Sequence, residues 1–277
     1  MPSAAGVVAT LGWALGPSSS TRLPRADSAP GRAASFAAHM SRILVLQHIG
    51  CEPPGAYGDE LDERGISPEI VHLDAGEELP DWALFDAIIA MGGPMGAYEE
   101  AIHPWLAAEK QLIAEAVRAG TPFWGVCLGA QLLAASLGAP VLRGPLPEVG
   151  VLPVELTAAA AGDPVFAPAP ASFPALHWHG DTYELPAGAV QLARSHAYEQ
   201  QAFAYGGAYA LQFHLEASTA LVADWGRVPA YAAALAALVP AEQSIGALIE
   251  RLGAVESAAT ALARELFARW LVHVVGV

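Results

Sequence analysis

Residues 122–131, which read Pro-Phe-Trp-Gly-Val-Cys-Leu-Gly-Ala-Gln, constrain the fold more than any other part of the chain. The run begins as a buried apolar strand and ends as the start of an amphipathic helix. Between them, Gly125 and Gly129 flank Cys127 in a Gly-x-Cys-x-Gly turn, the arrangement of a nucleophile elbow with cysteine in place of serine. The glycines remove β-carbons where strand and helix pass closely. Cys127 is thereby placed at a helix N-terminus, where the macrodipole and free N–H groups favour a thiolate.

A second motif, Leu-Gln-Phe-His-Leu-Glu at residues 211–216, offers partners for a cysteine nucleophile. It follows a Gly-Gly turn and is predicted to be a strand, so His214 and Glu216 share a face, separated by two rises of ~3.3 Å each. A carboxylate so placed holds an imidazole in one tautomer while the other ring nitrogen faces a thiol. An edge strand with a solvated polar face has the same spacing, but the cysteine turn upstream favours catalysis.

Strand and helix patterns alternate beyond residue 42. Strands rich in apolar residues are predicted at residues 43–48, 69–73, 87–91 and 122–126, the third being an almost wholly apolar run. Helices are predicted at residues 57–64, 105–119, 130–137, 219–238 and 245–271. Shorter strands are predicted at residues 149–156, 190–193 and 208–213. This alternation indicates right-handed βαβ units and an α/β fold with a doubly wound, mostly parallel sheet flanked by helices.

Five ordered segments resemble the class I, or triad, glutamine amidotransferases, above all the stand-alone proteins similar to the amidotransferase domain of GMP synthase. Besides the two motifs above, residues 90–98 resemble the family's glycine-rich oxyanion loop. Glu-Val-Gly at residues 148–150 resembles its Glu-hydrophobic-Gly segment, and His-Trp-His-Gly-Asp at residues 177–181 its His-Gly-Asp loop near the substrate pocket. The resemblance implies a flavodoxin-like fold. Two departures are Ala130, where many relatives carry histidine or methionine, and Leu215, where many carry proline, which predicts a less rigid strand end.

The resemblance also implies a reaction. Cys127 would be the nucleophile, His214 the general base and acid, and Glu216 the group that orients His214. The γ-amide of glutamine, or of a related γ-glutamyl amide, would be hydrolysed through a γ-glutamyl thioester. Ammonia would pass to water or to a separate synthase partner. No cofactor is implied.

Four further positions are implied to surround the reacting carbonyl. The backbone N–H groups of Gly93 and Leu128 would form the oxyanion hole. Gly92 and Gly93 would let the loop approach the oxyanion without a steric clash, although an ordinary Gly-Gly-Pro turn has the same sequence. Gln131 would help position the bound glutamine.

Two other functions stay open. A cysteine peptidase or deglycase-like enzyme of the same broad fold would carry the same cysteine turn, whereas the His-x-Glu pair and Gln131 favour glutamine. A catalytically silent binding or regulatory subunit is opposed by the intact triad, although a pocket closed by Trp178 or Tyr183 would favour it.

Charge and cysteine content limit partners and location. A net charge of −15 argues against a nucleic-acid-binding surface, and no apolar run suits a membrane span. The chain has two cysteines, and a disulfide between Cys51 and Cys127 would consume the nucleophile, so a reducing cytoplasm is expected. No metal site is predicted, because no carboxylate or cysteine cluster is expected to accompany His177 and His179.

The predicted domain organisation has three parts. Residues 1–39 are rich in Ala, Ser, Pro and Gly and are expected to be a disordered leader, or an extension upstream of a true start at Met40. Residues 40–240 are expected to form the amidotransferase domain. Residues 241–277 are expected to be a helical extension packed on it.

Overall fold

The computed structural model describes residues 41–237 and 244–277. The strands are β1 Ile43–Gln47, β2 Glu69–His72, β3 Ala87–Ala90, β4 Phe123–Val126, β5 Val141–Leu156, β6 Ser172–Tyr183, β7 Val190–Arg194, β8 Ala202–Tyr205 and β9 Ala208–Leu211. The α-helices are α1 Ala56–Glu63, α2 Trp105–Ala119, α3 Leu128–Ser136, α4 Thr219–Trp225, α5 Pro229–Ala236, α6 Ile245–Gly253 and α7 Glu256–Trp270. A π-helical turn, Leu271–Val275, follows α7.

All nine strands belong to one sheet, in the order β2-β1-β3-β4-β9-β8-β7-β5-β6. The pairs from β2 through β9 are parallel, and those from β9 through β6 are antiparallel. The predicted α/β fold with a large sheet flanked by helices is confirmed. The antiparallel strands β5 to β8 lead to β9, which pairs with β4 beside the cysteine turn.

Helices cover both faces of the parallel half, because side chains on a buried strand alternate between faces. Ile43 and Val45 of β1 pack with α1 and α7. Leu44 and Leu46 pack on the opposite side with α2 and α3. This two-sided burial explains the uninterrupted apolar sequence of the central strands.

Three segments differ from the sequence prediction. The strand predicted through residue 216 ends at Leu211, and His214 is held beyond it by an isolated antiparallel bridge to Leu176. The segment predicted as the His-Gly-Asp loop lies within β6, paired with β5. The predicted helix over residues 219–238 is broken before Pro229, because proline fits the first turn of a new helix but not a helix interior.

The predicted leader at residues 1–39 and the start at Met40 lie outside the described residues, as does the boundary at residue 240. The helix predicted at residues 245–271 is present as α6 and α7, separated at Ala254 and Val255. Among the helices of residues 41–237 and 244–277, none combines the length and apolar character that crossing a membrane requires.

The glycines of the cysteine turn are held by close backbone packing. A β-carbon on Gly129 would lie 2.1 Å from the carbonyl oxygen of Ala90. We therefore expect Gly129→Ala to lower the free energy of unfolding by about 3 kcal/mol, measured by urea denaturation. Gly162→Ala is the control, because nothing lies within 4 Å of its added β-carbon. Equal stability of the two variants would contradict this packing.

Candidate active site

Cys127 occupies the turn between β4 and α3 in a strained backbone conformation. Its φ of 50° makes it the one non-glycine residue with positive φ in the described part of the chain. Its N–H donates to the carbonyl oxygen of Leu211 at 2.8 Å, and its carbonyl oxygen accepts from Ala130 and Gln131 at the start of α3. The neighbouring strand β9 and the helix thus hold the turn that presents the thiol.

His214 and Glu216 lie directly beside this turn. His214 Nδ1 and Glu216 Oε1 are 2.7 Å apart, and the imidazole is close enough to the Cys127 thiol to lower its pKa. The N–H of Leu215 donates to Glu216 Oε2 at 3.0 Å, a bond that proline at this position could not make. Leu215 therefore adds a restraint on the carboxylate.

The protonation of the pair is set by burial and by the neighbouring charges. Burial raises the pKa of the Cys127 thiol above its ordinary value, and His214 only partly opposes this. Burial lowers the pKa of His214, but Glu216 and Cys127 outweigh it and leave that pKa well above the ordinary value.

The glycine-rich loop after β3 lies against the same site. A β-carbon on Gly92 would lie 2.0 Å from Glu52 Oε2 and 3.3 Å from His214 Cε1. One on Gly93 would lie 2.9 Å from His48 Cβ and 3.1 Å from a methyl carbon of Leu128. A β-carbon at either position would therefore have to displace a neighbouring side chain.

Leu128 and Gln131 contribute from α3. Leu128 is the first residue of the helix, where backbone N–H groups have no partner within the helix. Gln131 Nε2 donates to Gln212 Oε1 at 3.1 Å, and Gln212 Nε2 lies 3.6 Å from the Cys127 sulfur. Gln212 was not among the predicted site residues, although it stands in the same motif as His214.

A cavity of about 460 Å³ opens in front of Cys127. Its walls include Gln131, the loop residues Gly93 and Tyr98, Arg143 at the start of β5, Asp181 of β6 and Tyr231 of α5. The charges of Asp181 and Arg143 both act on the Tyr98 hydroxyl, so this wall carries both signs of charge.

Aromatic side chains form another wall of this cavity. Trp178 lines the cavity and packs against Trp225 and Tyr231, with ring centroids 5.9 and 5.6 Å away. The Tyr231 hydroxyl donates to the buried carboxylate of Glu52, a residue that the sequence reasoning also missed. Tyr183 packs on Phe203 away from the cavity lining. Neither Trp178 nor Tyr183 closes the site.

A buried polar cluster lies behind the β6 wall. The β5–β6 register pairs Glu148 with His179, and ligand-type atoms of Glu148, His177 and His179 lie within 4.8 Å of one another. The expectation that no carboxylate accompanies these histidines is wrong, because strand pairing supplies one from a distant segment. Three such side chains could hold a divalent metal ion. The carboxylate already accepts hydrogen bonds from Ser195 at 2.8 Å and Gln201 at 2.7 Å.

Comparison with known proteins places this geometry in a family. The model of the class-I glutamine amidotransferase family matches residues 57–221. This chain belongs to that family. A solved structure of a glutamine amidotransferase from Thermotoga maritima superposes with a TM-score of 0.76 at 34% identity, covering 84% of this chain and 99% of that one. The class I amidotransferase fold implied by the sequence motifs is confirmed.

Curated relatives of this amidotransferase carry related names. The glutamine amidotransferase-like protein YfeJ of Salmonella typhimurium is 35% identical over 63% of this chain and 75% of its own length. A glutamine-hydrolyzing GMP synthase of Thermomicrobium roseum is 37% identical over 62% of this chain but only 31% of its own. A gamma-glutamyl-L-1-hydroxyisopropylamide hydrolase of Pseudomonas sp. is 28% identical over 64% of each.

Proposed function

We propose that the protein hydrolyses the γ-amide of L-glutamine, or of a related γ-glutamyl amide, through a thioester on Cys127. The observation that carries the proposal is that Cys127 lies at a cavity and interacts with His214, which is hydrogen-bonded to Glu216. All three side chains are at least nine-tenths buried, so the charge that moves along this line is little screened by water.

Acylation begins with transfer of the thiol proton to His214. Since Nδ1 is bonded to Glu216, the proton is taken by Nε2. The sulfur adds to the γ-carbonyl carbon, and the carbonyl π electrons move to oxygen. The tetrahedral intermediate then collapses, its C–N bond breaks, and His214 returns the proton to the leaving nitrogen. Ammonia or an amine departs, and the γ-glutamyl thioester remains.

The oxyanion of the tetrahedral intermediate is stabilised by the backbone N–H groups of Gly93 and Leu128. Gly93 lines the cavity together with Cys127, and Leu128 begins α3 directly after it. Such preorganised donors in a buried site contribute more than donors in water, because they need no reorganisation as charge develops.

Deacylation completes the reaction. Water adds to the thioester carbonyl as His214 takes its proton, the C–S bond breaks, and the thiolate recovers the proton from His214. Glutamate is released. The ammonia passes to water or to a separate synthase, and the similarity to part of a glutamine-hydrolyzing GMP synthase supports the second fate as well as the first.

Two features support a γ-glutamyl substrate over a peptide. Gln131 lines the cavity close to Cys127, and the charged wall of Arg143 and Asp181 offers partners for an α-carboxylate and an α-amino group. The Pseudomonas relative is named as a hydrolase of a substituted γ-glutamyl amide, which supports testing N-alkyl amides beside glutamine. A peptidase or deglycase would leave this wall without a use.

The proposal predicts hydrolysis by the purified full-length protein alone. Ammonia or amine and glutamate should appear in equal amounts when L-glutamine or an N-alkyl γ-glutamyl amide is supplied. D-glutamine should react much more slowly, since its α-substituents would be exchanged against the charged wall. A diazo-ketone analogue of glutamine should label Cys127, as read by mass spectrometry. Absence of both hydrolysis and labelling would contradict the proposal.

A further inference from the structure

A buried ion pair lies directly behind the glycine-rich loop. His48 follows β1, Glu109 lies in α2, and both side chains are completely buried. His48 Nε2 and Glu109 Oε1 are 2.9 Å apart, while His48 Nδ1 lies 3.1 Å from the carbonyl oxygen of Gly92. Trp105, one helical turn before Glu109, stacks on the imidazole with ring centroids 5.6 Å apart. The ring is therefore held on one face and at both nitrogens.

The partners fix where the protons lie. A carbonyl oxygen can only accept a hydrogen bond, so Nδ1 of His48 donates to Gly92. Nε2 lies 2.9 Å from Glu109 Oε1 and donates to it when the imidazole is doubly protonated. Burial alone lowers the pKa of His48, but Glu109 outweighs it and raises that pKa above its ordinary value. Glu109 thus favours the charged form of His48, in which both nitrogens donate.

Stability alone does not account for such a pair. Removing two charges from water is costly, and buried ion pairs often contribute no more to stability than apolar side chains of the same volume. The pair does reach a backbone group of the loop that borders Cys127. Its position therefore favours a role in holding that loop.

We propose that His48, held by Glu109, fixes the Gly92–Gly93 peptide so that the N–H of Gly93 faces the oxyanion formed at Cys127. In a trans peptide the C=O and the next N–H point in opposite directions. Since His48 holds the carbonyl oxygen of Gly92 on its own side, the N–H of Gly93 is directed away from His48 and toward the cavity. The inference rests on the proposed amide hydrolysis.

The loop needs this restraint because it contains two adjacent glycines. Glycine imposes little steric limit on φ and ψ, so the Gly92–Gly93 peptide could reverse. Reversal would point the carbonyl oxygen of Gly92 at the oxyanion and repel it. Larger residues cannot supply the restraint, because β-carbons at these positions would collide with Glu52 and His48. His48 is therefore a positioning residue for the oxyanion hole.

Two isosteric polar variants test this role. The side-chain amide of asparagine reaches about as far as Nδ1, whereas that of glutamine reaches about as far as Nε2. We expect His48→Gln to lower kcat for glutamine hydrolysis by about 100-fold or more, the loss typical of an oxyanion-hole donor, with KM little changed. His48→Asn should retain kcat to within about tenfold, since it can still donate to Gly92. Equal kcat for His48→Gln and the wild type would overturn the proposal.

Alkylation of Cys127 separates this role from damage to the nucleophile. Iodoacetamide reacts by displacement at a saturated carbon and forms no oxyanion. We expect the His48 variants to be alkylated at Cys127 at the wild-type rate, measured by mass spectrometry in a Cys51→Ser background. A fall in alkylation that parallels the fall in kcat would overturn the proposal. If Cys51→Ser protein with native His48 hydrolyses no γ-glutamyl amide, the proposed function fails first. If that protein is active and His48→Gln matches it, only the inference on His48 fails.

Discussion

Cys127→Ala is expected to lower kcat/KM for glutamine hydrolysis by about four orders of magnitude or more, because no other group can form the thioester. Ammonia release, followed by a coupled glutamate assay, measures the loss. The variant should still bind substrate, since the cavity walls stay intact. Its melting temperature should stay close to that of the wild type, because a buried alanine fits the same turn.

The second cysteine provides the matched control. Burial and the nearby Glu52 raise the pKa of Cys51 to about 11, so this thiol is protonated near neutral pH. No hydrogen bond links it to an imidazole among the described residues. Cys51→Ala should therefore keep nearly full activity. If Cys127→Ala retained activity and Cys51→Ala lost it, the nucleophile would have been assigned to the wrong residue.

The parts of the molecule that follow from local sequence were predictable. The central strands are continuous apolar runs, and the Trp105–Ala119 helix ends at Gly120, which has a φ of 91°. The positions of these elements therefore depend on residues that are close together in the sequence. The proximity of Cys127 to His214 could be inferred because the two motifs follow strands that pair in the sheet. The family resemblance supplied the rest of that assignment, and the catalytic roles themselves stay predictions.

Contacts between distant segments were not predictable in the same way. His48 and Glu109 are 61 positions apart, and Glu52 and Tyr231 are 179 apart, so no periodicity joins them. Glu148 reaches His179 only through the register of β5 and β6. In each case the polar side chain is buried by a pairing that the sequence does not encode locally. The sequence shows only a single His or Glu at such a position, and nothing near it identifies the partner.

Glu216→Gln is expected to lower kcat by about 100- to 10,000-fold, because the carboxylate holds His214 in the productive tautomer and stabilises its imidazolium. Oε1 lies 2.7 Å from Nδ1, and Oε2 accepts from the N–H of Leu215. A glutamine amide can replace one of these acceptors but not both. The NH₂ group of the glutamine would face either Nδ1 of His214 or the N–H of Leu215, so one of these two hydrogen bonds would be disrupted.

The pH profile of this variant separates electrostatics from misfolding. Glu216 raises the pKa of His214 and of Cys127, so removing its charge should lower both. The acid and alkaline limbs of kcat/KM against pH should therefore both shift to lower pH. Glu155→Gln, an exposed carboxylate paired with Arg194, should shift neither limb. A large loss of kcat without a shift in either limb of the pH profile would mean that Glu216 acts through packing. The charge of His214 would then be set by its other neighbours, among them Glu52.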